Sequence, residues 1–412
     1  MSLAAALLAL VVLPAHSAAA DAPLLAAANA AMPSVVASLK DMVLIESGST
    51  TAAGLAKMAD YVEARLKALG ARTERIAPAH GPGTMVKGSF TGTGTKKLML
   101  MAHMDTVYPA GTLASEPYRQ DGNKLYGPGI ADDKGGIAVI LHSLAILKDV
   151  GWRDYAQLTV LFNHDEEVGS TTSGETIAQL ADQHDVVFSC EPTTAKAVAR
   201  TEGILLGAAG TAIATMDVKG RSSHAGAAPE AGRNALIELA YQLQQTRDVA
   251  KGIAGAQLNW TLAKAGVVSN QIPETASASA DVRLTAPGAA DLLRSALQDK
   301  VKAGRLVADT ETAVTLVVGR PPFLANERAR ALATQAQTIY AELDGRELTL
   351  HPMTGGATDA GFAGRTGKAI VLESFGLAGS GYHARNEYIE IDSIVPRLYL
   401  MTRMLQTVAR AP

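Results

Sequence analysis

Apolar positions along the chain follow two distinct periods. From Ser49 to Gly70, Leu55, Met58, Val62, Leu66 and Leu69 recur at helical spacing, which predicts an amphipathic helix. Short continuous apolar runs follow at 97–102 (KLMLMA), 158–162 (LTVLF), 186–189 (VVFS) and 369–373 (AIVLE). Unbroken runs of this length predict strands covered on both faces, hence a mainly parallel sheet in an α/β layer. A helical stretch at 136–149 lies between the first two runs.

The middle of the chain alternates instead. Residues 211–219 and 275–284 read as half-buried strands, 233–245 and 289–301 as helices, and 313–318 as a closing strand. The order strand–helix–strand–strand–helix–strand suits a ferredoxin-like α+β unit on an antiparallel sheet. Its limits are placed at 209 and 321, with hinges at 207–210 and at Arg320-Pro321-Pro322. The main α/β domain would then comprise 21–208 and 322–412.

Residues 3–13 form one apolar run, followed by Pro14 and by the small residues Ala18, Ala19 and Ala20. This reads as a signal peptide over 1–20, cut before Asp21, although no Lys or Arg precedes the run. A bilayer span needs about 20 apolar residues, so the expectation is a periplasmic or secreted protein with no membrane association after cleavage.

Composition changes the picture little. Across 412 residues, 48% are hydrophobic and the net charge is −3, with both signs interspersed, which argues against a nucleic-acid partner. The length favours two domains. A lone cysteine, Cys190, cannot form an internal disulfide, and after Val186-Val187-Phe188 it reads as a buried thiol.

The chemistry lies in four clusters that follow predicted strands or occupy glycine-rich loops. They are 101–105 (MAHMD), 127–136 (GPGIADDKGG), 163–170 (NHDEEVGS), and 190–192 (CEP) together with the distant 379–383 (GSGYH). Open α/β sheets place active sites at the carboxyl ends of strands. Zinc accepts imidazole nitrogen and carboxylate oxygen, and a two-metal site needs a shared carboxylate. The inventory supplies His103 and His383 as imidazoles and Asp132, Glu167 and Glu191 as carboxylates, while Glu166 is left over as a free base. Alone, each signal reads as ordinary structure; at consecutive strand ends they read as a metal centre. His16, His80, His142, His164, His184 and His351 read as packed or surface histidines.

These residues resemble the di-zinc exopeptidase superfamily of carboxypeptidases, aminoacylases and desuccinylases. Within it they are most similar to bacterial glutamate carboxypeptidases of the folate-cleaving type. The likeness runs from about 34 to 408 through HMDTVY (103–108), YGPGIADDKGG (126–136), DEEVGS (165–170), EPT (191–193), SHAGAAPE (223–230), NWTLAKAG (259–266), ADVR (280–283), GRP (319–321) and GYH (381–383). The resemblance implies one zinc on His103, Asp132 and Glu191 and a second on Asp132, Glu167 and His383, so two Zn²⁺ per chain with Asp132 shared. It implies that Asp105 orients His103, that Glu166 activates a water held between the zincs, and that the Asp132–Asp133 peptide is cis. It implies His224 as an oxyanion donor reaching across a homodimer formed through the inserted domain, which acts as dimerisation unit or lid. It implies Asn270 and Arg283 on the substrate's terminal carboxylate and Arg320 as a further substrate-side arginine; the glycine loop 354–359, with Gly356, can add backbone N–H groups to the same anion.

The expected substrate is a small peptide or N-acyl amino acid ending in glutamate. The likeness breaks between Glu191 and Gly210, where 194–206 (TAKAVARTEGILL) replaces the family segment that helps select the side chain. An aminoacylase or dipeptidase would use the same ligands. A non-catalytic metal-stabilised binding protein would have no need of Glu166.

Overall fold

The computed structural model describes residues 19–410; the apolar run at 3–13 and His16 lie outside the described residues. The main sheet has six strands in the spatial order Arg72–Ile76, Met85–Thr91, Gln157–Asn163, Lys97–His103, Val186–Ser189, Ile370–Leu372. The last four are parallel neighbours, and the long apolar runs are these strands. Arg72–Ile76 and Met85–Thr91 instead form an antiparallel hairpin on the open edge. Their sequences, RTERI and MVKGSFT, are half-exposed and carry no continuous apolar run, so the pattern that revealed the other strands passes over them.

The helix Lys134–Asp149 explains why the parallel strands are apolar throughout. It is buried on nearly every side, from Gly135 to Leu147. It packs on the strand Lys97–His103 and against the helices Ala22–Val43 and Ile394–Arg410. Asp133 caps its start by accepting from the Gly136 N–H at 3.1 Å. A Cβ at Gly136 would lie 2.1 Å from the Cys190 carbonyl oxygen, so only glycine lets this helix start approach the end of a neighbouring strand. Cys190 is fully buried, and burial pushes its thiol well up, which makes it a packing residue. The helix Ala22–Val43 is the one described helix apolar and long enough to cross a bilayer, yet it packs into this core, with Asp21 capping its N-terminus.

The second sheet stands apart in the middle of the chain. Its strand order is Ala256–Ala265, Thr275–Leu284, Gly210–Lys219, Glu311–Val318, all antiparallel. The helices Ala235–Thr246 and Ala289–Ala303 pack on it, which makes the split βαβ arrangement of a ferredoxin-like unit. Strict alternation in Gly210–Lys219 turns Ala212, Ala214, Met216 and Val218 inward. They join Leu239, Val282, Leu293 and Leu297 in a core separate from that of the main sheet.

A third, five-stranded sheet runs in the order Arg119–Asp121, Lys124–Tyr126, Tyr388–Glu390, Ala378–Ser380, Thr193–Thr194. It was not legible as a pattern because its strands are only two or three residues long. It is nevertheless the sheet that gathers the polar loops, since it ties those after Tyr126, after Ser380 and before Thr193 into one corner.

Candidate metal centre and cleft

Three strand ends and the small sheet deliver the side chains. His103 is the last residue of its strand and lies in register with Asn163 on the neighbouring strand, so the turn carrying Glu166 and Glu167 begins beside it. Glu191 follows Val186–Ser189, and Thr193 then pairs with Ala378. Asp132 follows Lys124–Tyr126, and His383 sits in the connection between Ala378–Ser380 and Tyr388–Glu390.

Two donor triads result, His103–Asp132–Glu191 and Asp132–Glu167–His383, each with its donor atoms within 4.8 Å of one another. Asp132 is common to both. Its Oδ1 lies 2.9 Å from His103 Nε2, and its Oδ2 lies 3.4 Å from His383 Nε2. His103 Nε2 is 3.8 Å from Glu191 Oε1, and His383 Nε2 is 3.0 Å from Glu167 Oε2. The Asp132–Asp133 peptide is cis.

The electrostatics are those of a crowded acidic pocket. Burial, followed by the field of neighbouring carboxylates, raises Glu167 and pushes Glu166 well up. Burial raises Glu191 too, against the opposing pull of His103. Asp132 is lowered despite burial, because both histidines donate to it. His383 is raised to about 10 by Asp132 and Glu167. Cations set among these carboxylates would relieve their repulsion, and the nitrogen and oxygen donors suit a divalent metal such as zinc.

Several buried groups hold the donors in place. His103 Nδ1 is 3.0 Å from the main-chain oxygen of Asp105 and 3.3 Å from its Oδ1. The same Asp105 carboxylate accepts from the N–H groups of Glu166 and Glu167 at 3.0 and 3.1 Å and from Ser49 Oγ at 2.8 Å. Thus Asp105 orients one histidine and the whole Glu166–Glu167 turn.

Two supports escaped the sequence reading. Glu387 accepts from the N–H groups of Gly129, Ala131 and Asp132, so it cradles the loop that presents Asp132; burial lifts it to about 7. Asp359 accepts from Asn163 Nδ2 at 2.7 Å and from Ser170 Oγ. Asp359 belongs to the glycine loop already singled out, whereas nothing in the local sequence marks Glu387.

Beside the triads opens a cleft of about 690 Å³. Glu166, Arg283, Arg320 and Gly356 line it. Arg320 is buried, with Nη2 2.9 Å from Glu166 Oε1 and also donating to the Glu166 main-chain oxygen; Nη1 donates to the Ala357 oxygen at 2.9 Å. Arg283 reaches the cleft from the inserted sheet, paired at 3.0 Å with Asp281. The Gly356 N–H donates to Thr354 Oγ1 at 3.3 Å.

His224 and Asn270 are absent from the cleft wall of this single chain. Both are exposed and close together, since the Ala225 N–H donates to the Asn270 oxygen. His224 Nδ1 accepts from the N–H groups of Gly226 and Ala227 at 3.2 and 3.1 Å. That leaves the ring proton on Nε2, the tautomer with one outward donor.

Comparison with known proteins gives a consistent set of likenesses. The sequence matches the family described as Peptidase family M20/M25/M40 over residues 99–407. It is 42% identical to carboxypeptidase G2 of Pseudomonas sp. (strain RS-16) over 387 residues, covering 93% of this chain and 92% of that one. The fold is similar to that of aminopeptidase PepT from Bacillus cereus, with TM-score 0.73 and 19% identity, over 92% of this chain and 99% of the other. A metallo-carboxypeptidase from Sulfolobus solfataricus superposes with TM-score 0.73 and 17% identity over the same shares.

Proposed function

This chain belongs to Peptidase family M20/M25/M40 and is a carboxypeptidase G2-like metallopeptidase, and from that premise we propose that it uses two zinc ions to hydrolyse the amide bond to a C-terminal glutamate. Peptidyl, N-acyl and folate-type glutamates are the substrates this reading admits. The observation that carries it is the geometry of Asp132, whose two oxygens face two different histidines while Glu166 lines the same cleft and belongs to neither triad.

His103, Asp132 and Glu191 would hold one zinc and Asp132, Glu167 and His383 a second, and the ions when bound would supply Lewis acidity to water and to a carbonyl. Glu166 takes the proton of the attacking water and returns it to the departing amine. Arg320 keeps the Glu166 carboxylate aimed, and Asp105 keeps its backbone in place. Arg283 receives the substrate's terminal carboxylate, for which a guanidinium fork is suited. Asn270 and Gly356 assist there, Asn270 by way of a neighbouring subunit.

His224 is a donor to the developing oxyanion. Its exposure and its absence from the cleft wall of one chain support delivery by the inserted domain of a second copy. The two edge strands of that domain's sheet, Ala256–Ala265 and Glu311–Val318, each paired on one side only, carry the exposed Leu262 and Val317, which supports a homodimer through this region. The apolar run at 3–13 supports export to the periplasm or beyond.

The test is a panel of N-acyl amino acids, dipeptides and folates given to the zinc-loaded protein, with the released amino acid identified. Glutamate from free-carboxylate substrates is expected to dominate. Equal rates on free and amidated C-termini would sink the carboxypeptidase reading.

A further inference from the structure

The cleft contains an imidazole that the reaction does not use. His351 ends the strand Leu348–His351, which pairs in parallel with Glu202–Leu205, so that His351 lies opposite Leu205. His351 and both Gly203 and Leu205 line the same cleft as the two donor triads. The ring packs directly over Gly203: a Cβ there would fall 2.4 Å from His351 Cδ2 and 2.5 Å from Nε2. Any side chain at 203 would therefore take the space the imidazole fills. Nε2 itself is buried and makes no hydrogen bond. A buried polar atom without a partner is costly and uncommon, and at the wall of a ligand cleft it points to a bond completed by the ligand.

The two arginines and the other imidazole of the cleft have charged partners within this chain. Arg320 is held through Nη1 and Nη2 by Glu166 and two main-chain oxygens, and its Nε, which makes no hydrogen bond, lies 3.5 Å from Asp359 Oδ1. His383 lies in a donor triad, and Arg283, paired with Asp281, is the group proposed above for the terminal carboxylate. Among the described residues lining the cleft, none is a lysine. A glutamate substrate brings a second carboxylate that needs a donor of its own.

We infer that His351, seated on Gly203, is the specificity-determining residue that receives the side-chain carboxylate of the C-terminal glutamate. The inference rests on the glutamate reading above and adds the group that distinguishes glutamate from a neutral residue. Strand pairing between 202–205 and 348–351 sets the position of the ring, so the selecting residue comes from a strand remote in sequence from the metal ligands.

The experiment measures kcat and KM on matched substrates ending in glutamate, glutamine and alanine, for the zinc-loaded wild type, His351→Ala and His351→Gln. Folding and metal content are checked by melting temperature and elemental analysis. Wild type should prefer glutamate. His351→Ala should raise the glutamate KM by about 10-fold or more with kcat within about twofold, the loss expected for one hydrogen bond to a charged group. The preference for glutamate over alanine should shrink by the same factor, and His351→Gln, which keeps a donor, should recover part of it. A folded His351→Ala protein with an unchanged glutamate-to-alanine ratio overturns the inference and leaves the glutamate reading standing. A wild type that cleaves these substrates without preferring glutamate overturns both.

Discussion

Arg320 Nη2 sits 2.9 Å from Oε1 of Glu166, with both side chains buried, although the two residues are 154 positions apart in the chain. The resemblance placed Arg320 on the substrate. The structure shows its guanidinium spent on Glu166, on the Ala357 carbonyl and on the neighbourhood of Asp359. A residue in that position would aim the proposed base, and this separates two kinetic outcomes. Arg320→Ala should lower kcat far more than it raises KM, and should cost about 3–5 kcal/mol of stability because it strands a buried charge. A rise in KM at constant kcat, measured at saturating metal, would return Arg320 to the substrate.

Glu166 is surplus to both triads. Glu166→Gln should lower kcat by about 10²–10⁴, the range for loss of a general acid–base, while both metals stay bound. Elemental analysis beside the kinetics decides this. Loss of metal from Glu166→Gln would mean that Glu166 and Glu167 have exchanged roles.

Asp132 faces both histidines, so its loss should disturb both of the proposed metal sites. Prolonged chelation should abolish turnover and lower the melting temperature, and zinc should restore both. Asp132→Asn should reduce metal content at both positions, whereas Glu191→Gln and Glu167→Gln should each weaken chiefly one. A variant Asp132→Asn that retained two metals would refute the shared-ligand geometry.

His224 is exposed and outside the cleft of its own chain. Loss of one oxyanion donor costs about 10²–10³ in kcat, so His224→Ala should be nearly inactive yet folded and metal-loaded. Mixing His224→Ala with Glu166→Gln chains should recover part of the activity, because one site of each mixed dimer keeps both residues. Absence of recovery in a mixture shown to contain heterodimers would rule out action across subunits.

A further prediction concerns stability rather than turnover. His142 is buried in the helix Lys134–Asp149, with Nε2 2.9 Å from Ser38 Oγ, and Ser38 Oγ in turn accepts from Arg65 Nη1 at 2.9 Å. Burial, and next the nearby Arg65 charge, hold this imidazole down at about 4 against an ordinary 6.5. The unfolded chain therefore binds the proton first. Stability is intact above about pH 6.5, falls as the pH drops towards 4, and levels off below that, a loss on the order of 3 kcal/mol. Replacing His142 with Gln should flatten the fall of melting temperature with pH across that window. An identical slope in both proteins would show that His142 does not set it.

What the sequence alone determined were features that short stretches of chain decide by themselves. The apolar runs at 97–102, 158–162 and 186–189 are strands because a strand covered on both faces must be apolar at every position, and 211–219 alternates because one face of its sheet is bare. His103, Asp132, Glu166, Glu167, Glu191 and His383 could be picked out because each lies in a compact local motif. Short, half-exposed strands such as Arg72–Ile76 left no such trace. Only the tertiary structure decided which distant partners meet: Glu387 under the loop of Asp132, Arg320 against Glu166, and His351 over Gly203. It also set His224 apart from the cleft of its own chain. The reason is physical. A strand or turn follows from near neighbours, whereas the partner of a buried charge or ring is chosen by how separate elements pack, and no single segment carries that information.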